Sequence, residues 1–311
     1  MIEIRNFTKV YGSTTAVDDL SVTVRPGVVT GFLGPNGAGK STTMRAVVGL
    51  DRPTGGEVLV GGRRFADQPA PLREVGALLD ARAAHPGRSA RAHLRALAAT
   101  NGIARARVEE VLEMVGLAEA GGRRVGGFSL GMFQRLGIAA TLLGDPAVVL
   151  LDEPVNGLDP DGIRWIRDLL RGLAAEGRTV FVSSHLMSEM ELTADHLVIL
   201  GRGRLIADIS MERMTASAAG HVRVRSPRAD ELARLLSAQG AAITQSEPDL
   251  LAVSGHTSTQ IAEAALAARI LLTELTPMHA SLEEAYLAMT EGDVQYRATT
   301  SVPTDVRRAA A

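Results

Sequence analysis

Short apolar runs separated by glycine and proline fill the first 65 residues of this 311-residue chain. The runs MIEIRNFTKVYG, SVTVRPG, VVTGFLG and GEVLVGGRRF are strand-length and bounded by turn residues, so they predict short strands. One helix is predicted directly after GKST, through TMRAVVGL. From Pro86 to about Ala140 the chain becomes rich in alanine, arginine and leucine at helical spacing, which predicts a helical region.

Apolar strands return after this helical region. They are AVVLLDE at 147–153, TVFVSSH at 179–185 and HLVILGRGRLIAD at 196–208, with the helix IRWIRDLLRGLAAEG between the first two. Continuous apolar strands that alternate with helices are typical of a parallel sheet buried on both faces. We therefore expect an α/β core that ends at about residue 210.

A second unit is predicted at 221–290, after the linker MERMTASAAG. HVRVRS, AAITQSE, LLAVSG and ILLTEL read as strands and alternate with two helices in the order βαββαβ. This order is the split-βαβ arrangement, so we expect a small α+β ferredoxin-like domain. A final short helix, SLEEAYLAMT, follows it, and the tail at 291–311 is predicted to be disordered.

Composition restricts the compartment and the partners. The formal charge is −2, which gives no general attraction to nucleic acid, so no nucleic-acid partner is expected. The chain has no cysteine and no signal-like N-terminus, which predicts a cytoplasmic location. The apolar stretch at 137–151 is interrupted by Asp145 and Pro146 and is too short for a bilayer span. Any membrane crossing would have to come from another chain.

The segment GPNGAGKS matches the phosphate-binding pattern G-x-x-x-x-G-K-[ST]. It follows a predicted strand and opens a predicted helix, where backbone N–H groups and the helix dipole favour phosphate. Lys40, one of only two lysines in the chain, can contact the β- and γ-phosphates, and the Ser41 hydroxyl can bind Mg²⁺. The chain is therefore predicted to bind a nucleoside triphosphate with Mg²⁺.

Three further polar residues follow apolar strands. Asp152 at a strand end is placed to hold Mg²⁺, and Glu153 to polarise an attacking water. His185 follows the next strand, where it can donate a hydrogen bond to a γ-phosphate or serve a structural role.

These motifs together resemble the nucleotide-binding subunits of ABC transporters over residues 1 to about 210. The resemblance rests on Tyr11, the phosphate loop, FSLGMFQR, VVLLDEP, NGLDP and His185, in the family's order. It implies a P-loop NTPase of ABC type, with a mixed sheet and a helical subdomain at about 86–140. It also implies that Tyr11 stacks on adenine, that Glu153 is the general base and that Asp159 bridges two subunits. The implied ATP-binding residues are Tyr11, Gly34, Pro35, Asn36, Gly37, Ala38, Gly39, Lys40, Ser41 and Thr42.

FSLGM looks like the family's signature loop, which contacts the γ-phosphate held by the other subunit. Its residues here are Ser129, Leu130, Gly131 and Met132. The chain has no internal repeat and so holds half of each composite site. The resemblance therefore implies a head-to-tail dimer with a second ATP-binding subunit, which is a second copy of this chain or a related one; a homodimer is expected.

Two positions depart from the family pattern. Leu130 replaces the first glycine of the signature loop, and Asp80 stands where the family usually carries glutamine. A carboxylate can still reach Mg²⁺, so Asp80 joins Ser41 and Asp152 as an expected metal ligand, but it cannot donate a hydrogen bond. Acidic replacements and SLGM signatures resemble those of the bacitracin- and daunorubicin-type drug-resistance ATPases, as does SLEEAYLAMT.

The function implied is ATP hydrolysis that powers a separate multi-pass permease, as an exporter of drugs, antibiotics or other hydrophobic compounds. Such a subunit lies in the cytoplasm, peripheral on the inner face of the membrane. HPGRSARAHLRALAA is either the contact for the permease or a solvated arginine-rich face. Two alternatives remain: a soluble ABC ATPase, and a weakly hydrolysing nucleotide-gated module, which Asp80 favours. The C-terminal domain is expected to support the dimer or to sense a ligand.

Overall fold

The computed structural model describes residues 1–217, 220–278, 282–283 and 286. The predicted tail at 291–311 and most of the predicted helix SLEEAYLAMT lie outside the described residues. Among the residues described, no helix is both long and apolar enough to cross a bilayer.

A six-stranded sheet forms the centre of the first 210 residues. Its strand order is β5-β6-β7-β3-β8-β9, and every neighbouring pair is parallel except β8 and β9. The strands are β3 (Val29–Leu33), β5 (Val75–Leu78), β6 (Val148–Asp152), β7 (Thr179–Ser183), β8 (His196–Gly201) and β9 (Arg204–Ser210). The mixed α/β core is thus confirmed. The segment predicted as one strand at 196–208 is a hairpin, because Arg202 and Gly203 turn the chain with positive φ angles.

A second sheet is antiparallel and built from the N-terminal residues. It contains β1 (Ile2–Tyr11), β2 (Thr14–Val24) and β4 (Gly55–Val60) in the order β2-β1-β4. Alternate β1 side chains, among them Ile2 and Ile4, are buried in a cluster that also holds Phe32 and Phe181 of the central sheet. Helix α1 (Lys40–Val47) contacts strands of both sheets and contributes Met44 to the same cluster. This packing fixes the phosphate loop between the two sheets.

Helices cover the remaining faces. They are α2 (Pro71–Glu74), α3 (Ala90–Thr100), α4 (Arg105–Met114), α5 (Leu130–Leu142), α6 (Pro160–Ala175), α7 (Met187–Thr193) and α8 (Met211–Ser217). Helices α3, α4 and α5 occupy the region predicted to be helical and contact one another. Their apolar faces, with Leu94, Leu112 and Leu136, lie in one buried cluster with strand residues such as Leu151. The helical region is therefore packed onto the central six-stranded sheet.

Residues 220–278 form a separate sheet with its own buried cluster, in which Val224, Leu232 and Leu251 are fully buried. The elements are β10 (His221–Arg225), α9 (Ala229–Ala238), β11 (Ala242–Glu247), β12 (Leu250–Ser254), α10 (Ser258–Ala267) and β13 (Glu274–Met278). The strands are antiparallel in the order β11-β12-β10-β13, which confirms the predicted βαββαβ arrangement.

The chain then returns to the first part of the molecule. Leu282 is fully buried and Tyr286 nearly so, and both belong to the cluster that contains Leu151 and Met190 rather than to the C-terminal cluster. The Leu282 N–H lies 3.5 Å from a carboxylate oxygen of Glu191 in α7. The end of the C-terminal unit is therefore attached to the central core.

Candidate functional site

The phosphate loop joins the buried strand β3 to α1 and lines an open pocket of ≈ 430 Å³. The pocket is lined by Tyr11, Ala16, Asn36, Gly37, Ala38, Gly39, Lys40, Ser41, Thr42, Asp152 and Glu153. Gly39 has a φ of +100°, and a Cβ there would lie 2.7 Å from the backbone oxygen of Ala16. Both the backbone conformation and the close approach therefore require glycine at this position.

Lys40 is the cationic side chain among the residues that line this pocket, with 8% of its surface exposed. Its Nζ donates to the carbonyl oxygens of Gly34 (2.6 Å) and Pro35 (3.3 Å). Burial lowers the pKa of Lys40, against the opposing charges of Glu153 and Asp152. The pocket thus contains a partly desolvated cation that an anionic ligand would stabilise.

Asp152 ends β6 and is hydrogen-bonded on both oxygens. Ser41 Oγ donates to its Oδ2 at 2.8 Å, and Ser183 Oγ donates to its Oδ1. Parallel pairing of β6 with β7 places Ser183 opposite Asp152. Because carboxyl ends of parallel strands meet at one sheet edge, the predicted metal ligands Ser41 and Asp152 are brought together.

Glu153 follows directly and has a φ of +52°, which is unusual for a residue with a Cβ. Its N–H donates to Ser183 Oγ at 3.0 Å, and its Oε2 lies 2.6 Å from Nδ1 of His185. His185 is exposed and does not itself line the pocket, but it contacts the carboxylate that does. Backbone and side chain of Glu153 are therefore both held in place.

Tyr11 stands at the rim of the pocket and is 45% exposed. Lys9 Nζ lies 4.8 Å from the centroid of its ring, a cation–π distance. The pKa of Tyr11 is raised by burial and by its hydrogen bond to Asp51. The ring is thus oriented by contacts at one face and at its hydroxyl.

The predicted signature loop begins α5. Ser129 is the N-cap and its Oγ accepts from the N–H of Met132 at 3.3 Å. Leu130 is 45% exposed and packs on Gly157, where a Cβ would lie 2.3 Å from Leu130 Cγ. A Cβ at Gly131 would lie 2.8 Å from the Gly157 oxygen. Among the described residues, those of the signature loop do not line the phosphate pocket.

The two other predicted residues lie elsewhere. Asp159 is the N-cap of α6, where its Oδ1 accepts from the N–H of Gly162 at 3.0 Å. Asp80 is exposed, and its Oδ1 accepts from the N–H of Arg82 at 2.8 Å. The structure does not place Asp80 among the residues that line the pocket with Ser41 and Asp152, because its carboxylate closes a local turn.

The strand, glycine-rich loop and helix, with two carboxylates at the neighbouring strand end, define a P-loop nucleotide-binding protein. The family model "ABC transporter" matches residues 17–156, and a domain of unknown function matches 220–283. The chain is 38% identical over 303 residues to the uncharacterised ABC transporter ATP-binding protein YhcH of Bacillus subtilis (strain 168), covering 93% of this chain and 96% of that protein. The chain belongs to the family of ABC transporter ATP-binding proteins, and it is an ATPase.

Two further relatives carry functional names. The bacitracin transport ATP-binding protein BcrA of Bacillus licheniformis is 42% identical over 217 residues, 69% of this chain and 71% of that protein. The daunorubicin/doxorubicin resistance ATP-binding protein DrrA of Streptomyces peucetius is 33% identical over 312 residues, 96% of this chain and 94% of that protein.

A solved relative is similar in fold. The dimeric structure of MJ0796, a bacterial ABC transporter cassette, superimposes with a TM-score of 0.63 at 26% identity, covering 68% of this chain and 99% of that one. The same cassette has been solved in a post-hydrolysis state bound to ADP and Pi.

Proposed function

We propose that this chain is the ATP-hydrolysing subunit of an exporter, with an ATPase unit at 1–210 and an accessory unit at 221–290. It acts as a head-to-tail dimer that powers a separate membrane permease. The observation that carries the proposal is the separation of two phosphate-binding elements. The phosphate loop lines the pocket, whereas residues 129–132 begin a helix and are not among the residues that line it. Leu130 of this second element is exposed.

Different residues of the pocket bind the nucleotide and take part in its hydrolysis. Lys40 and the N–H groups of residues 36–42 bind the phosphates, and Tyr11 stacks on adenine. Water attacks the γ-phosphorus, the bond to the bridging oxygen breaks, and Glu153 takes the proton of the water. His185, in contact with Glu153, orients that carboxylate.

The oxygen ligands at the strand end fit Mg²⁺. Ser41 and Asp152 offer a hydroxyl and a carboxylate oxygen 2.8 Å apart, the hard donors that this ion prefers. Bound there, Mg²⁺ would neutralise charge on the β- and γ-phosphates. Asp80 is not part of the proposed ligand set, because its carboxylate accepts from the N–H of Arg82 outside the pocket lining.

A second subunit would complete each site. A helix N-terminus with a capping serine and a glycine N–H is a favourable partial anion site. We propose that Ser129, Leu130, Gly131 and Met132 contact the γ-phosphate bound by the other protomer, and that Asp159 lies at the same interface. The side chain of Leu130 packs on Gly157, and we propose that this packing lets the loop accommodate leucine in place of glycine.

The permease and the cargo are proposed from the relatives. BcrA is named for bacitracin transport and DrrA for daunorubicin/doxorubicin resistance. We propose export of an antibiotic or other hydrophobic drug, with the chain on the cytoplasmic face of the membrane. Cells that carry the chain with its permease should become drug-sensitive when Glu153 is replaced by glutamine.

Complementation between two inactive variants tests the dimer. Lys40→Met lacks the phosphate contact and Ser129→Arg blocks the signature loop, so each purified chain alone should lose hydrolysis. A 1:1 mixture contains heterodimers with one intact composite site, and it should recover up to about one quarter of wild-type activity. A mixture no more active than its two components would overturn the head-to-tail site.

Glu153→Gln supplies the matched control. It should lose hydrolysis and yet form a stable dimer with ATP and Mg²⁺, measured by light scattering, because it still binds nucleotide. Asp80→Gln, measured in parallel, should hydrolyse at a rate close to wild type, because Asp80 does not line the pocket.

A further inference from the structure

Glu153 holds a backbone conformation that its residue type disfavours. Residues with a Cβ rarely adopt a φ of +52°, so neighbouring groups must impose it. If these contacts are lost, the backbone of Glu153 can relax and its carboxylate moves with it.

Three hydrogen bonds hold the main chain of Glu153. Its N–H donates to Ser183 Oγ, and its carbonyl oxygen accepts from Gln134 Nε2 at 3.2 Å and from the N–H of Asn156 at 3.3 Å. Asn156 belongs to the same turn as Glu153, so its bond moves with the turn. Gln134 lies on a different element, and is therefore the fixed external support of this carbonyl.

Gln134 is well suited to this task. It is 3% exposed and lies on α5, five residues after Ser129. Only the amide nitrogen of a glutamine can donate to a carbonyl oxygen, so the contact fixes which way the amide points. Helix α5 itself is packed in the buried cluster through Leu136 and Ile138, so the amide is held rigidly.

We infer that Gln134 is a positioning residue for Glu153. It holds the carboxylate of the general base in place without touching nucleotide, and it does so from the helix whose first turn we propose to contact the partner's nucleotide. The inference rests on the proposed function of Glu153. Helix α5 thereby serves two ATP sites: its N-terminus contacts the partner's site, and Gln134 in its second turn supports the site of its own subunit.

The first test replaces Gln134 with methionine, which keeps the volume and removes the donor. We expect kcat to fall by about tenfold or more, because a general base displaced by a fraction of an ångström loses its alignment with water. KM for ATP should change by less than about threefold, because the phosphate contacts are intact. Thr141→Val is the matched control, because Thr141 is also buried on α5 but its hydroxyl donates to the Gly137 carbonyl within the helix.

A double-mutant comparison separates positioning from general destabilisation. If Gln134 acts only through Glu153, then Gln134→Met should cause no further loss of the slow residual rate in the Glu153→Gln background, measured with the protein in excess over radiolabelled ATP. An equal loss in both backgrounds would overturn the inference. So would a Gln134→Met rate within about twofold of the Thr141→Val rate.

Gln134→Glu gives an independent readout, should the methionine variant fold poorly. A neutral carboxylic acid can donate to the Glu153 carbonyl, whereas a carboxylate cannot. The ratio of its rate to the wild-type rate should therefore rise as pH falls, and a ratio independent of pH would contradict the inference. If wild type and Thr141→Val themselves fail to hydrolyse ATP, the proposed function fails; the inference alone fails when both hydrolyse and Gln134→Met matches them.

Discussion

The central sheet and the C-terminal sheet each carry a cation that is at least partly buried, and the two cations have different hydrogen-bond partners. Lys40, which follows strand β3 of the central sheet, donates to the neutral carbonyls of Gly34 and Pro35, and burial lowers its pKa. Arg225, on the antiparallel sheet, bonds to Asp249 and Glu247, and these hydrogen bonds raise its pKa. The first charge is left for a ligand to neutralise, whereas the second is neutralised within the fold. Charge alone therefore does not identify a site; among the described residues, the two cations differ in their partners, neutral carbonyls for Lys40 and carboxylates for Arg225.

The largest expected effect comes from removing the lysine. Lys40→Met should lower ATP hydrolysis by about 10²- to 10³-fold, because the phosphates lose their charged contact in a low-dielectric pocket. Arg225→Met is the control on the other sheet, and its rate should stay within about twofold of wild type. Steady-state phosphate release measures both variants. A comparable loss in Arg225→Met would show that the C-terminal sheet takes part in the reaction.

A core truncation in the C-terminal unit tests whether the two regions are energetically separate. Leu232 is fully buried there, so Leu232→Ala should destabilise this unit by about 2–5 kcal/mol. Affinity for ATP should not change, because no residue of its cluster lines the phosphate pocket. Denaturant unfolding and ATP titration are the measurements. Leu266→Ala, a leucine 79% exposed on α10, is the control and should be nearly neutral.

The second lysine allows a smaller and more selective test. Lys9→Ala should raise the Kd for ATP by about two- to fivefold, because an exposed cation–π contact contributes about 0.5–1 kcal/mol to holding the Tyr11 ring. Binding of inorganic tripolyphosphate should be unchanged, since it has no base to stack. Lys40→Met should weaken the binding of both ligands, and Lys9→Arg should bind ATP as wild type does. If Lys9→Ala weakened the binding of ATP and of tripolyphosphate equally, Lys9 would have no role in recognising the base.

The smallest effect is a slope of stability with pH. Because the pKa of Lys40 is lower in the folded than in the unfolded chain, the unfolded chain binds more protons between the lowered pKa and 10.5. Stability of the nucleotide-free protein should therefore rise with pH in that window, and Lys40→Met should abolish this contribution. The difference between the urea unfolding free energies of wild type and Lys40→Met, followed from pH 8 to pH 10, measures this contribution. A pH dependence identical in the two proteins would contradict the pKa shift.

The sequence predicted the elements that local patterns encode. The phosphate loop was recognisable because its glycines and lysine are contiguous, and the strand-end position of Asp152 follows from an apolar run that stops there. The strand order of the C-terminal unit could be expected from its alternation of strands and helices.

Contacts between distant residues were beyond such patterns. Nothing local connects Gln134 with the carbonyl of Glu153, or Lys9 with the face of Tyr11, because both contacts depend on how packed elements meet. Asp80 was expected near the metal because it stands where the family usually carries glutamine, but its carboxylate accepts a hydrogen bond from the N–H of Arg82 in a local turn. Periodicity alone did not reveal that Leu282 and Tyr286 return to the central core.

This return has a topological consequence. The C-terminal unit is held at both of its ends, so the chain between α8 and Leu282 is a closed loop rather than a free terminal appendage. Closing a loop of this length costs only a few kcal/mol of entropy, because the cost grows with the logarithm of its length. A single proteolytic cut inside the unit would then leave both fragments bound to one core. Such a nicked protein should elute as one species in buffer and separate into two only in denaturant.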